Sequence, residues 1–160
     1  MVSIQTIEAA LEQVPDPELP ISIVELGMVK TVSLEGKSAR VHLLPTYTGC
    51  PALPVIEKDV VTKISAIEGV DECIVEWAYE PAWTPDRITP VGRDTLRAHG
   101  VTSMPCASEA KVTLTTSAIT CPYCGSSQTR LDSPFGPTRC RSIHFCEACR
   151  NQFEHMKART

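Results

Sequence analysis

Two CxxC pairs, Cys121-Pro-Tyr-Cys124 and Cys146-Glu-Ala-Cys149, lie 21 residues apart, and no other feature of the sequence restricts its fold as much. A tight turn between two cysteines aims both thiolates at one ion, and two such turns complete a tetrahedral sulfur set for Zn²⁺. Four protein sulfurs leave no position for a substrate water, so the predicted metal is structural, one ion per chain. Gly125 after the first pair permits the backbone reversal that the turn needs, and nearby N–H groups are expected to offset the charge of the thiolates. Residues 121–160 offer few large apolar side chains, chiefly Leu131, Phe135, Ile143, Phe145 and Phe153. A unit this small cannot fold on burial alone, so metal binding must supply much of its folding free energy. His144 and His155 are alternative donors for which the complete set leaves no vacancy, and Cys140, outside both pairs, reads as a small buried hydrophobe.

The chain has eight cysteines, five of them in the last 40 residues. No stretch approaches the ~18 apolar residues of a membrane span, and Met1-Val2-Ser3-Ile4-Gln5 lacks the basic and apolar regions of a signal peptide. A cytoplasmic location is expected, where cysteines serve as metal ligands or reactive thiols more often than as disulfides. Residues 121–160 carry six Lys/Arg against three Asp/Glu, and residues 1–120 carry nine against sixteen. A basic tail thus follows an acidic head, neither extreme enough to imply a polyanionic partner.

With 160 residues and 42% hydrophobic content, the chain can form one core of roughly 100 residues plus a smaller unit. Ile4, Ile7, Leu11 and Val14 recur at helical spacing, predicting a helix over residues 3–13 that Pro15, Pro17 and Pro20 end. Residues 29–34 and 39–44 read as a hairpin around Glu35-Gly36-Lys37. Leu53, Ile56, Val60, Ile64 and Ile67 mark a second helix, and residues 70–79 a third strand. The fold class expected is α+β: a two-layer α-β-β-α-β sandwich over residues 1–100, then a small zinc ribbon over 121–160. A helix ending at His99-Gly100 closes the first unit. Residues 101–120, rich in Ser, Thr and Ala, read as a linker with a short strand near 111–114.

The acidic unit holds a second set of residues, Asp16-Pro17-Glu18 and Thr48-Gly49-Cys50-Pro51. If Pro51 opens the second helix, Cys50 lies beside free N–H groups that lower a thiol pKa and favour the thiolate. Taken alone, Cys50 reads more readily as an inert buried cysteine, and Asp16 and Glu18 as loop solvation and turn formation.

The run Val14-Pro15-Asp16-Pro17-Glu18-Leu19-Pro20, continuing to Gly27, together with Thr46-Tyr47-Thr48-Gly49-Cys50-Pro51-Ala52, resembles the iron–sulfur assembly accessory proteins that include SufT. The segment Glu80-Pro81-Ala82-Trp83-Thr84, the helix before Gly100, the terminal ribbon and Phe135-Gly136-Pro137-Thr138-Arg139-Cys140 are similar to the PaaD family. Members of that family are accessory components of bacterial phenylacetyl-CoA epoxidase systems. The resemblance implies a non-catalytic factor that helps to mature or maintain the iron–sulfur cluster of such an epoxidase, with oxygenase or reductase subunits as clients. A ferredoxin-type cluster in the reductase is implied as the target in preference to a di-iron centre. It also carries over Asp16, Glu18, Thr48, Gly49 and Cys50 as the surface that meets client or cluster. One thiolate cannot hold a conventional cluster, so any cluster is expected to be transient, shared between the Cys50 residues of a homodimer or with client cysteines.

Two other readings compete. Zinc ribbons often bind nucleic acid, but Arg130, Arg139, Arg141, Arg150, Lys157 and Arg159 do not make a dense basic stripe with interleaved aromatics. A Cys50-dependent thiol enzyme would need a general base, for which His42 is the one convenient upstream residue.

Overall fold

Ser3 opens the first helix: its side chain accepts the N–H of Thr6 at 3.2 Å, so α1 runs over Ile4–Leu11 with Ile7 and Leu11 buried. In the computed structural model, which describes residues 2–103 and 119–157, α1 packs on α2 (Leu53–Ser65). The expected hairpin forms as β1 (Val29–Glu35) and β2 (Ser38–Leu43), antiparallel, and α2 then crosses to β3 (Glu72–Trp77), parallel to β2. Strand β2 alternates: Ala39, Val41 and Leu43 enter the core, whereas Arg40 and His42 face Glu76 on the open side of the sheet. The α-β-β-α-β sandwich is therefore present in the order that its periodicities predict.

After β3 the chain turns back over the sandwich. Trp83 is 1% exposed and donates its indole N–H to the Leu26 carbonyl at 2.9 Å, and Arg87 donates to the carbonyls of Gly27 and Val29. A single 3₁₀ turn, Pro85–Arg87, precedes α3 (Pro90–Ala98), whose cap is Thr89 accepting from the Gly92 N–H.

Beyond Gly100 the structure departs from the expected linker. Val101–Thr102 form a short strand, β4, parallel to the last strand of the ribbon, giving a four-stranded sheet in the order β4-β7-β6-β5. The other strands are β5 (Thr129–Ser133), β6 (Arg141–Cys146) and β7 (Gln152–Met156). Val101 is 5% exposed within the main core, and Thr102 Oγ1 donates to the Glu154 carbonyl at 3.2 Å. Burial and strand pairing thus hold a dipeptide that composition assigns to the linker. The strand expected near 111–114, and Cys106, lie outside the described residues.

The ribbon docks on the sandwich. Cys140 and Met156 belong to the same buried cluster as Ile7, Val14 and Leu44. Gly100, at φ +75°, sits so close to the first knuckle that a Cβ there would collide with the Tyr123 hydroxyl oxygen. The left-handed backbone favours glycine, and any larger residue would also push the tyrosine aside.

Within the ribbon, His144 stacks on Phe153 with ring centroids 5.6 Å apart, and His155 meets His144 edge-on at 5.5 Å. Burial, reinforced by His144, lowers the His155 pKa to about 4. The folded chain therefore keeps His155 neutral, while the unfolded chain protonates it near its ordinary value of about 6.5. Its contribution to stability is complete above pH 6.5 and is lost as pH falls toward 4. Urea midpoints in excess zinc should fall across this window in the wild type and less steeply in His155→Gln. Parallel pH profiles for the two proteins would show that His155 is not the titrating group.

Candidate functional site

The two knuckles are built alike. Gly125 N–H bonds back to the Cys121 carbonyl at 3.0 Å, and Arg150 N–H to the Cys146 carbonyl at 2.9 Å. Gly125 at φ +74° and Arg150 at φ +64° take the same left-handed position after the second cysteine of each pair. These turns bring the sulfurs of Cys121, Cys124, Cys146 and Cys149 within 4.8 Å of one another. Cys121 lies 3.7 Å from Cys149, and Cys124 3.6 Å from Cys146. Tetrahedral zinc with bonds of about 2.3 Å separates its sulfurs by about 3.8 Å, so the donor set fits Zn²⁺.

Thiol energetics agree. Hydrogen bonds from the Asn151 side chain and backbone lower Cys149 to about 6. The Ser126 N–H also favours the Cys124 thiolate, yet desolvation and the three neighbouring thiols push that group up to about 12. Four adjacent thiolates need a cation between them. The histidines are engaged elsewhere: His144 contacts Ser142, and His155 contacts Thr102.

Around Cys50 the structure assembles a second site from both halves of the chain. Pro15 and Ser22 bridge across the Asp16-Pro17-Glu18 loop, and Asp16 accepts the Glu18 N–H at 2.8 Å, a local turn that presents the Glu18 carboxylate. Cys50 donates its thiol toward that carboxylate at 4.0 Å. A cavity of about 250 Å³ opens beside them, lined by Glu18, Tyr47 and Cys50 from the sandwich and by Phe135, Pro137 and Cys140 from the ribbon. Phe135 is 77% exposed, and a Cβ built on Gly49 would lie 3.6 Å from Arg139 Nη1. The ribbon loop therefore leans over Gly49-Cys50, and of the expected surface residues Glu18 and Cys50 line the cavity.

One expectation about Cys50 is reversed. Helix α2 starts at Leu53 with Ala52 as its cap and Pro54 in its first turn, so Pro51 stands outside it. Burial raises the Cys50 pKa, the Ala52 N–H only partly opposes this, and Glu18, Cys140 and Asp16 raise it further. Cys50 is thus held as a thiol among acidic neighbours, not as the thiolate that a helix terminus would favour. Burial likewise raises Asp16, against the Glu18 and Leu19 N–H groups.

His42 serves no catalytic pairing here. It bonds Thr31 and Glu76 on the open face of the sheet, and among the described residues no histidine lines the Cys50 cavity. Two of the ribbon cations are also paired with carboxylates, Arg130 with Asp132 and Glu147 and Arg141 with Glu154, and Lys157 donates to the Arg139 carbonyl. Both observations weigh against the thiol-enzyme and nucleic-acid readings. Among the described residues no helix is long and apolar enough to cross a membrane.

The residue that sequence reasoning sets aside is Cys140. It is buried, accepts or donates a 3.1 Å contact with Thr138 Oγ1, and shares the cavity with Cys50. Its one signal is its place in the Phe135-to-Cys140 run.

Residues 4–77 match the iron–sulfur cluster assembly protein family, and residues 105–157 match the PaaD zinc beta ribbon domain. The chain is 36% identical to an Escherichia coli (strain K12) protein whose name makes it one of the subunits of a 1,2-phenylacetyl-CoA epoxidase, covering 96% of this chain and 92% of that one. It is also 36% identical to the Fe–S protein maturation auxiliary factor YitW of Bacillus subtilis (strain 168), over 53% of this chain and 84% of the relative. A solved domain of unknown function from Bacillus anthracis superposes with a TM-score of 0.54 at 32% identity, covering 58% of this chain and 90% of that domain. An iron–sulfur assembly sandwich fused to a zinc ribbon, matched over nearly its whole length, places this chain in the PaaD family.

Proposed function

We propose that this chain is a cytoplasmic, non-catalytic maturation factor that serves the iron–sulfur cluster of a multicomponent phenylacetyl-CoA epoxidase. Cys121, Cys124, Cys146 and Cys149 hold one structural Zn²⁺, and the ribbon so formed docks the client, an oxygenase or reductase subunit. The Cys50 site meets the cluster. The observation that carries this reading is the cavity walled jointly by the Cys50 loop and the ribbon. A surface that docks a client through the ribbon would thereby bring the client's cluster to the Cys50 thiol. Glu18 accepts the thiol's hydrogen bond, while Asp16 shapes the loop and Thr48-Gly49 give close access.

Carboxylates are hard donors that suit such clusters poorly, which favours transient handling over permanent residence. Cys50→Ala should therefore fold and keep its zinc, yet fail to support the epoxidase. In cells whose only copy is Cys50→Ala, epoxidase activity should fall at least about tenfold, the scale on which loss of a metal-site group acts. Wild-type activity in those cells would remove Cys50 from the mechanism.

A further inference from the structure

We propose that Cys140 is a second cargo thiol, so that one chain offers an iron–sulfur cluster two sulfurs, Cys50 from the sandwich and Cys140 from the ribbon. This rests on the reading above and deepens it, because it names the site that a cluster would occupy.

Three observations carry it. Both thiols line one cavity of about 250 Å³, with Glu18 on the same wall. The groups also sense one another: Cys140 and Glu18 both disfavour ionisation of Cys50, and Glu18 disfavours that of Cys140. Finally, the cavity set differs from the knuckles in its spacing. Among the described residues only the four knuckle cysteines converge within 4.8 Å as a possible set of three or more ligands to one ion. A lone ion requires such convergence. A cluster brings its own sulfides and presents separate irons, so its protein ligands stand apart around a cavity.

The surroundings of Cys140 suit a ligand that changes state. Burial raises its pKa, while Thr138 and Arg141 favour its thiolate. Empty, the site keeps two neutral thiols. Loading forms two iron–sulfur(cysteine) bonds as two bonds to the donor's ligands break, and two thiol protons leave, with no change in iron oxidation state. The remaining two ligands of a four-ligand cluster come from the client or from small thiols. Cys73, half-buried on β3, does not line this cavity and is the internal control.

The test loads the full-length, zinc-bound chain anaerobically from a preformed [2Fe–2S] cluster ligated by glutathione, which supplies the outer ligands and leaves the iron oxidation state unchanged. Iron, sulfide and the sulfur-to-iron charge-transfer absorption are read together. Cluster content should fall at least about tenfold in Cys140→Ser, matching Cys50→Ser, while Cys73→Ser loads as wild type. Stoichiometric zinc and an unchanged far-ultraviolet spectrum verify the fold of each variant. In the wild type, with no substitution, loading should protect both Cys50 and Cys140 from iodoacetamide but leave the labelling of Cys73 unchanged. If Cys140→Ser loads fully while Cys50→Ser does not, or if Cys140 gains no protection, Cys140 is no ligand and the proposed function stands. If the wild type takes up no cluster, the cluster-handling reading fails and takes this inference with it.

Discussion

Replacing Cys121 or Cys149 by serine should release the zinc and unfold the ribbon, an effect on the order of 10 kcal/mol in apparent ribbon stability. The ribbon's own buried cluster comprises Cys121, Cys146 and Phe153, with Ile119 and Cys149 against it, so the ion and its ligands are most of what it has. Without the metal, the coupled thiols have nothing to hold them within 4.8 Å. The sandwich should persist at a lower midpoint, because Ile7, Val60 and Ile64 pack without the ribbon's help, whereas Cys140 and Met156 withdraw from the shared core. Amide exchange should become fast across β5, β6 and β7, and Cys50 should alkylate faster once residues 135–140 leave its cavity. Retention of stoichiometric zinc in a variant lacking both cysteines would refute the ligand assignment.

Glu154→Ala should be costly although it lies away from the metal. Arg141, whose side chain is 8% exposed, directs Nη1 to Glu154 and Nε to Thr138 Oγ1 at 2.7 Å. Removing the carboxylate leaves a guanidinium buried without its counter-charge, which costs about 3–5 kcal/mol. The double replacement Arg141→Met with Glu154→Met removes both charges and should recover most of that loss. Urea unfolding of the three proteins measures the difference. A loss below about 1 kcal/mol in Glu154→Ala would class the pair with ordinary surface bridges. The same variant should disturb Cys140, since Arg141 steadies the Thr138 hydroxyl that contacts its sulfur.

The parts of the molecule that the sequence announces are those whose determinants are local. The knuckles need only a CxxC spacing and a residue able to turn left-handed. Helix α2 follows from Ile56, Val60 and Ile64, and the hairpin from the alternation of Ala39, Val41 and Leu43. What is not legible depends on neighbours distant in the chain. Cys140 stands beside Cys50 only because the ribbon folds back through β4, a pairing of two residues in a Ser/Thr-rich stretch with no periodicity of its own. The ionisation of Cys50 escapes the sequence for the same reason: a helix start two residues later and the burial it shares with the ribbon reverse the direction a helix terminus implies. Glu18 and Asp16 are recognisable as a motif, but their division into thiol partner and loop former emerges only in the folded chain.

The parallel pairing of β4 with β7 also bears on how two copies of this protein would meet. Contacts that seat the ribbon, from Thr102 against His155 to Tyr123 against Gly100, are made between segments joined by a stretch of 18 residues, 103–120. If the ribbons of two copies were exchanged, the same residues would make the same contacts, now between chains. In such a swapped dimer each cavity would still pair one Cys50 with one Cys140, now from different chains, and the cargo site would survive the trade intact.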